Sequence, residues 1–239
     1  MRTGLGLTRR LLRGLGPLWR VRSLALLSEL LFWAVWLGSV RHREQRDELL
    51  DPNRRLLPEL DPVLERIAPR RVRVLEVGAG PMSALGRLHP TKEIDLVPTD
   101  LLADWYRRLL ALRGLDPPVP TVRADAERLR DSFAAESFDL VFAANCLDHM
   151  EHPLRAIEEM VAVVRPGGWV VLSHGRDEGE RQEYTGLHRW NLREAHGRFF
   201  LWRPGEEIDV SERLGPRCAV IARTTVDQVR VEIEKRAES

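Results

Sequence analysis

The chain has 239 residues, enough for one sizeable domain with an appendage but few for two full α/β domains. Its 37 basic and 36 acidic residues give a formal charge of +1, so composition alone favours neither a nucleic acid nor an acidic partner. The two cysteines, Cys146 and Cys218, lie far apart and outside any CxxC or Cys/His cluster. This spacing argues against a disulfide framework or a zinc site and favours a reducing, cytoplasmic location.

The first forty residues join a basic segment to an apolar one. Residues 1–22 carry six arginines and no acid, and residues 23–40, SLALLSELLFWAVWLGSV, contain a single charge at Glu29. The apolar run is at the lower edge of spanning length, and Glu29 would be costly in hydrocarbon. We predict a buried or lid helix here, with an interfacial or spanning membrane helix as the less favoured alternatives. No small-residue cleavage pattern follows, so we expect no cleavable signal.

From Arg71 onward, short apolar segments alternate with helical ones. Strands are predicted at VRVLEV, EIDLVPTD, TVRADA, FDLVFAAN and WVVLSH, and helices at LLADWYRRLLALRGL and HPLRAIEEMVAVVR, with a turn and a short helix after the first strand. This βαβ order predicts an α/β fold with a doubly wound parallel sheet. The segments CAVIARTT and QVRVEIEKR predict a closing β-hairpin at one sheet edge. We expect residues 1–70 to form an N-terminal helical extension or lid and residues 71–239 the main domain.

A glycine-rich turn follows the first of these strands, in the stretch VRVLEVGAGPMS. At the carboxyl end of a parallel strand, glycines let the backbone approach a ligand closely. The dinucleotide-binding fingerprint needs a third glycine three residues after Gly80, where this chain has Ser83. Glu76, at the strand end, would repel a pyrophosphate but neutralise a cationic ligand. The pattern predicts a nucleoside ligand that carries positive charge and no phosphate.

Several segments, in this order along the chain, resemble the class I S-adenosylmethionine-dependent methyltransferases. They are VLEVGAGP, Asp100 at the end of the second strand, RADAERL after the third, and FDLVFAANCLDHMEHP followed by VVRPGGWVVLSH. The resemblance covers about residues 72–173. It implies a Rossmann-like, mostly parallel sheet of the seven-stranded type, with S-adenosylmethionine as the cofactor.

The resemblance also implies a role for individual residues. Glu76, Gly78 and Gly80 would surround the methionine portion of the cofactor, and Asp100 would hold the ribose hydroxyls. Asp100 follows Gly80 by 20 residues, which is the spacing at which a strand-end acid meets a ribose. At the other positions, the resemblance places adenine beside Asp125 and Ala126, and the methionine end and substrate beside Asn145.

The C-terminal part resembles one subset of this family, bacterial small-molecule methyltransferases with an N-terminal apolar helix, an LDH tripeptide and an E-Y-x-G-L-H-x-W-N segment. Residues 147–149 and 183–191 match these features. Candidates for lining a substrate pocket in the second segment are Tyr184, His188 and Trp190. His149, just past the fourth strand, and His174, at the end of the fifth, are candidate general bases because histidine titrates near neutral pH. The histidines show no recognisable metal-ligand spacing, so no metal is expected.

These features predict a biosynthetic enzyme that methylates an oxygen or nitrogen atom of a small-molecule acceptor, such as a natural product or a sugar. The small-molecule acceptor is the expected partner, and no nucleic acid is expected because the arginine-rich start lacks an RNA-binding module. Two alternatives stay open. One is an RNA methyltransferase, and the other is a non-catalytic adenosylmethionine-binding or scaffold protein held at a membrane through residues 23–40. The acceptor, the use of a base and the oligomeric state are left open.

Overall fold

A computed structural model of the protein describes residues 22–237, with side chains from residue 24 onward. The strands are β1 (Arg71–Val77), β2 (Glu93–Asp100), β3 (Val122–Arg123), β4 (Phe138–Ala144), β5 (Val164–Gly175), β6 (Asn191–Ala195), β7 (Arg198–Arg203), β8 (Glu206–Asp209), β9 (Cys218–Thr224) and β10 (Gln228–Lys235). The α-helices are α1 (Arg22–Gly38), α2 (Arg43–Leu49), α3 (Asp61–Arg66), α4 (Ala103–Arg113), α5 (Pro153–Val163), α6 (Glu178–Arg181) and α7 (Val210–Leu214).

The main sheet has seven strands in the order β3-β2-β1-β4-β5-β10-β9. Strands β1 to β5 pair in parallel, whereas β10 pairs antiparallel with both β5 and β9. The predicted doubly wound, mostly parallel sheet and its closing hairpin are therefore confirmed. The order reverses at β1, which has β2 on one side and β4 on the other, so the carboxyl ends of β1 and β4 border the crevice where ligands bind in such sheets.

The sheet is apolar because both of its faces are covered. Leu75 on β1 packs with Ile157 and Met160 of α5 on one face. Val74, the residue before it, packs on the other face with Leu64 of α3. This alternation explains why the parallel strands are nearly continuous runs of Val, Leu and Ile. Helix α3 lies within residues 1–70 and yet packs in this core. The division of the chain into an extension and a main domain after residue 70 stays a prediction.

The apolar segment near the N-terminus forms α1, as predicted. Its residues Trp36 and Leu37 pack with Met82, from the loop after β1, and with Leu110 of α4. In the described part of the chain, no single helix is long and apolar enough to cross a membrane. A length and apolarity sufficient for a span are reached only when two helical segments are counted together, Leu24–Gly38 and Val40–Leu49, with a bend of 76° between them. This pairing rests on length and composition alone. The arginines at positions 2 to 20 lie outside the described residues.

Two parts of the fold differ from the expectations. The short helix predicted after β1 is wrong, because residues 78–92 form bends and turns without a helix. Pro81 and hydrogen bonds from Ser83 and Ala84 back to Glu76 hold this segment in a loop instead. The segment expected only as a polar insert forms a second, antiparallel sheet in the order β6-β7-β8.

Candidate active site

The loop after β1 depends on its two glycines. Gly78 and Gly80 have φ values of 72° and 66°, in the left-handed region that favours glycine. A Cβ atom on Gly78 would lie 2.5 Å from the Cβ of Cys146, and one on Gly80 would lie 3.0 Å from Cζ2 of Trp33 in α1. The loop is therefore closely covered on two sides, by the start of the segment after β4 and by the N-terminal helix.

Asp100, at the end of β2, holds this loop in place. Its Oδ2 accepts a hydrogen bond from the Gly80 N–H at 3.1 Å, and its Oδ1 accepts one from the Leu102 N–H at 2.8 Å. Burial raises the pKa of Asp100 to about 6. Each carboxylate oxygen has a second lone pair. The side chain therefore keeps capacity to accept hydrogen bonds from a ligand.

Glu76 is placed differently from the prediction. It is only 2% exposed, and it lies beneath the loop rather than on the cavity wall. Its carboxylate accepts hydrogen bonds from the Ser83 hydroxyl and from the Ala84 N–H, the second at 3.0 Å. Burial raises the pKa of Glu76 to about 7. The geometry gives Glu76 a supporting position under the loop, and its direct contact with the cofactor stays a prediction.

A cavity of about 490 Å³ opens at the carboxyl ends of the strands. Its size is in the range usual for sites that bind small molecules and cofactors. Of the predicted cofactor residues, it is lined by Gly78, Gly80, Asp100, Asp125, Ala126 and Asn145. The inner face of α1 closes one side with Leu26, Glu29, Trp33 and Trp36. The structure thus brings six of the seven predicted cofactor residues to one cavity and places the predicted lid helix against it.

Asp125 and Asn145 owe their positions to local backbone geometry. Asp125 caps the 3-10 helix that follows β3, because its Oδ1 accepts a hydrogen bond from the Glu127 N–H at 2.9 Å. Asn145 follows β4 with a φ of 47°, a conformation that asparagine tolerates better than most residues. Its Oδ1 accepts a hydrogen bond from the Gly175 N–H at 3.1 Å, which ties the ends of β4 and β5 together.

Beyond Asn145, a buried carboxylate joins two histidines. Asp148 is 3% exposed, and the Nδ1–H of His188 donates a hydrogen bond to its Oδ2 at 2.6 Å. Nε2 of His149 lies 3.5 Å from the same oxygen, and the centroids of the two imidazole rings are 4.6 Å apart. Of the three residues, His149 lines the cavity. We call Asp148, His149 and His188 the acid–histidine cluster.

The charges in this cluster support one another. Burial alone would raise the pKa of Asp148, but the hydrogen bond from His188 and the nearby imidazoles hold it below its usual value. Burial alone would lower the pKa of His188, but the hydrogen bond to Asp148 and the charge of that carboxylate raise it. The cluster therefore holds an ionised carboxylate that favours a proton on His188.

The same donor set has the composition of a metal site, because the ligand atoms of the three residues lie within 4.8 Å of one another. Ligands of a tetrahedral metal at about 2.1 Å would be separated by about 3.4 Å. The 2.6 Å between His188 Nδ1 and Asp148 Oδ2 is shorter and matches a hydrogen bond. The described geometry is therefore that of an acid–base pair.

The other predicted site residues lie away from the cavity. His174 is fully buried in β5, outside the cavity lining, and burial lowers its pKa to about 4. Trp190 is 2% exposed in the main core, where the guanidinium of Arg203 stacks on its ring. The Tyr184 hydroxyl accepts a hydrogen bond from Asn191 Nδ2 at 2.8 Å. These placements correct the expectation that His174 faces the reacting groups and that Tyr184 and Trp190 line the pocket, because the apolar core and β6 engage them instead.

His188 also stays off the cavity wall, although its chain neighbours Leu187 and Arg189 line it. Sequence reasoning missed Asp148, Arg189, Glu29 and Trp33 as cavity or cluster residues. Asp148 was within the quoted LDH tripeptide, next to His149, and that adjacency was the available signal. Trp33 and Glu29 lie on one face of α1, where a hydrogen bond of 2.9 Å joins the indole Nε1–H to Glu29.

The residues on this cavity fit S-adenosylmethionine. The glycine loop gives close backbone approach, and Asp100 presents carboxylate lone pairs at the strand end where a ribose is held in such sheets. No helix begins after the glycine loop, so the helix N-terminus that holds a dinucleotide pyrophosphate is missing from residues 78–92. The site therefore suits a nucleoside ligand without phosphate.

Comparison with known proteins identifies the segment that carries these features. The family described as "Methyltransferase domain" matches residues 75–172. Malonyl-acyl-carrier-protein O-methyltransferase of Marinomonas sp. (strain MWYL1) is 36% identical over 105 residues, which are 42% of this chain and 37% of that protein. The chain thus spans well under half the length of this curated relative.

A solved structure shares the fold, and another shows a partial similarity to the chain. The CurJ carbon methyltransferase is 18% identical, with a TM-score of 0.50 over 73% of this chain and 51% of that one. The cyclase SpnF is 28% identical, with a TM-score of 0.38 over 50% of this chain and 45% of that one. Residues 75–172, with the glycine loop, Asp100 and the strands around the cavity, belong to the class I S-adenosylmethionine-dependent methyltransferase domains.

Proposed function

We propose that the protein transfers the methyl group of S-adenosylmethionine to an oxygen or nitrogen atom of a small-molecule acceptor held beside His149. The observation that carries this proposal is one continuous cavity. Gly78, Gly80 and Asp100 line it, and so do Asn145 and His149. We call the part beside the first three residues the cofactor end and the part beside the last two the acceptor end. A cavity with this lining supports a cofactor and an acceptor held next to each other.

When bound, S-adenosylmethionine supplies a methyl group on a sulfonium, which a nucleophile displaces in line. Alignment of the two molecules accounts for much of the acceleration in such a step. Asp100 and the glycine loop hold the nucleoside, and the loop in turn rests on Glu76. The inner face of α1 covers the cavity with Trp33 and Trp36, which excludes water from the reacting atoms.

His149 is the proposed proton acceptor for a hydroxyl nucleophile, or for an ammonium group that becomes a nucleophilic amine once its proton has moved to the imidazole. Its side chain lines the cavity four residues beyond Asn145, and its Nε2 lies 3.5 Å from Asp148 Oδ2. The buried carboxylate of Asp148 stabilises the imidazolium that forms when the proton moves to His149. His188 holds Asp148 in position through the 2.6 Å hydrogen bond.

An acceptor that carries a carboxylate beside its reacting group is favoured by a second feature of the cavity. In the described part of the chain, the cavity is lined by two arginines. Arg54 is engaged with Glu48 and with the Ala84 carbonyl. Nη2 of Arg189, by contrast, is buried without a hydrogen-bond partner among the described residues. A buried donor without a partner is costly, and a carboxylate that the acceptor carries in addition to its reacting hydroxyl or amine would satisfy it. The name of the Marinomonas relative also specifies transfer to oxygen.

The test is label transfer. The full-length chain is incubated with methyl-deuterated S-adenosylmethionine and pools of small carboxylic acids, phenols, amines and sugars, and products are detected by mass spectrometry. We expect labelled product in at least one pool, and its loss with His149→Ala. Tight adenosylmethionine binding with no labelled product in any pool would favour the non-catalytic alternative. We also propose a cytoplasmic location, to be checked by fractionation.

A further inference from the structure

The outer face of α1 is apolar and exposed along its whole length. The exposed side chains are Leu24, Leu27, Leu31, Phe32 and Val35, of which Val35 is 72% exposed. Four of them recur at helical spacing, at positions 24, 27, 31 and 35, so they form one stripe. We call this set the outer stripe. A contiguous exposed apolar stripe of this kind marks a surface that binds a membrane or another protein.

The inner face of the same helix is already occupied. Trp36 and Leu37 are buried against α4 and the loop after β1, and Trp33 contacts the ring of Tyr106 edge-on. Glu29 carries the only charge among residues 24–38, and it faces the cavity. The helix is therefore fixed to the protein by one side and offers only the uncharged side outward. This arrangement suits a helix that lies along a surface.

The charge around the outer stripe is positive on the N-terminal side. Residues 1–22 contain six arginines and no acidic residue, and they run directly into α1. Arg41, just beyond the other end of the helix, is exposed. Basic residues next to an apolar helical face are the combination that binds anionic lipid surfaces, because phosphate groups attract the cations while the acyl region takes up the apolar side chains.

We propose that the outer stripe of α1 docks on the surface of an anionic lipid bilayer, to which the positive charge of the preceding sequence attracts the chain. The inner face of the helix remains on the cavity, so docking would bring the cavity next to the membrane interface. This inference stands on the exposed face and the charge of its flanking chain. It does not depend on methyl transfer.

A second copy of the chain is the other occupant that an apolar stripe admits. Charge complementarity favours the lipid, because the sequence before the stripe has six arginines and no acid, and the outer stripe of a second copy offers no negative charge to pair with them. An anionic lipid surface offers that charge.

The test is sedimentation of the full-length protein with vesicles. The probe is vesicles of phosphatidylcholine containing about one third phosphatidylglycerol, compared with vesicles of phosphatidylcholine alone. The variant combines Leu27→Ser, Leu31→Ser and Val35→Ser, and the matched control is Val226→Ser, another exposed apolar side chain on the turn between β9 and β10. Adenosylmethionine binding and thermal unfolding are measured for each protein, so that a misfolded variant is recognised.

We expect binding to the anionic vesicles that weakens with salt, weaker binding to the neutral ones, and a loss of at least about tenfold in the triple variant but not in the Val226→Ser control. Vesicle binding that is unchanged in a folded triple variant would overturn the proposal. So would a lack of binding to either vesicle. A dimer in solution that the triple variant dissociates would assign the stripe to a second copy instead.

Discussion

The two ends of the cavity are built in different ways. At the cofactor end, Gly78, Gly80 and Asp100 lie at the ends of adjacent strands, and the Gly80 N–H donates a hydrogen bond to the Asp100 carboxylate. At the acceptor end, Asp148 meets His188, which is 40 residues away in the chain, and this contact forms only when the segment after α6 folds against the sheet. The difference teaches that cofactor binding follows from a local motif, while acceptor chemistry depends on long-range packing.

The largest expected effect is at the acceptor end. Replacing His149 by Ala or by Gln should lower turnover by about 10²-fold or more, because the proton acceptor is lost. Affinity for S-adenosylmethionine should change little, since the cofactor is held at the other end. Steady-state turnover against pH, measured beside calorimetric affinity, separates the two ends. Near-full activity in both variants would show that alignment of the two molecules is the whole mechanism and that the acceptor end supplies no base.

Asp148→Asn sharpens the same comparison. The carboxylate charge raises the pKa of His188 against the effect of burial, so the pKa of His188 should fall in the variant. Turnover should fall by roughly tenfold or more, because the imidazolium of His149 loses a buried counter-charge. Imidazole signals followed by NMR through a pH titration give the pKa directly. An unchanged His188 pKa would show that the 2.6 Å contact does not govern its protonation.

At the cofactor end, Asp100→Ala should weaken adenosylmethionine binding by at least about tenfold, since hydrogen bonds to a charged acceptor contribute about 1.5–3 kcal/mol each at most. Burial raises the pKa of Asp100 to about 6, and the ionised form is the better acceptor for ribose hydroxyls. Wild-type affinity should therefore fall as the pH drops below about 6. Asp100→Asn should lack that fall, and equal pH profiles for the two proteins would contradict the assignment.

Glu76 should have the smallest effect, and on stability rather than chemistry. Its pKa is about 7 in the fold against 4.5 for an unperturbed side chain, so the folded state holds the proton more tightly. Its contribution to the free energy of unfolding should therefore fall as the pH rises from about 4.5 to about 7, by on the order of 1–3 kcal/mol. Denaturant unfolding of wild type and Glu76→Gln across this range should show a shallower pH slope in the variant.

Six of the seven residues that the sequence assigns to the cofactor line one cavity, because each feature there is local. A strand followed by Gly-Ala-Gly, and an acid 20 residues beyond Gly80, fix both position and spacing within one βαβ unit. Glu76 shows the limit of that reasoning. Its place in the strand was correct, but a side chain at a strand end points to one face or the other, and here Ser83 and Ala84 draw it beneath the loop.

At the acceptor end, fewer of the residues that the sequence suggests line the cavity. Tyr184 and Trp190 have the chemistry of a pocket, yet Trp190 is buried in the core and Tyr184 bonds to Asn191. The second sheet that positions these residues has no helical or alternating pattern strong enough to be read from the chain alone. Asp148 lay next to the predicted base but gained its role only through His188, and no spacing rule connects residues 40 positions apart.

The most direct test of the account is a calorimetric titration of the full-length protein with S-adenosylmethionine, its demethylated product and NAD. The glycine loop with Asp100 should bind the first two with dissociation constants of about 10⁻⁵ M or tighter. NAD should not compete, because no helix follows the loop to hold its pyrophosphate. Tighter binding of NAD than of S-adenosylmethionine, or no binding of S-adenosylmethionine at all, would contradict the central claim.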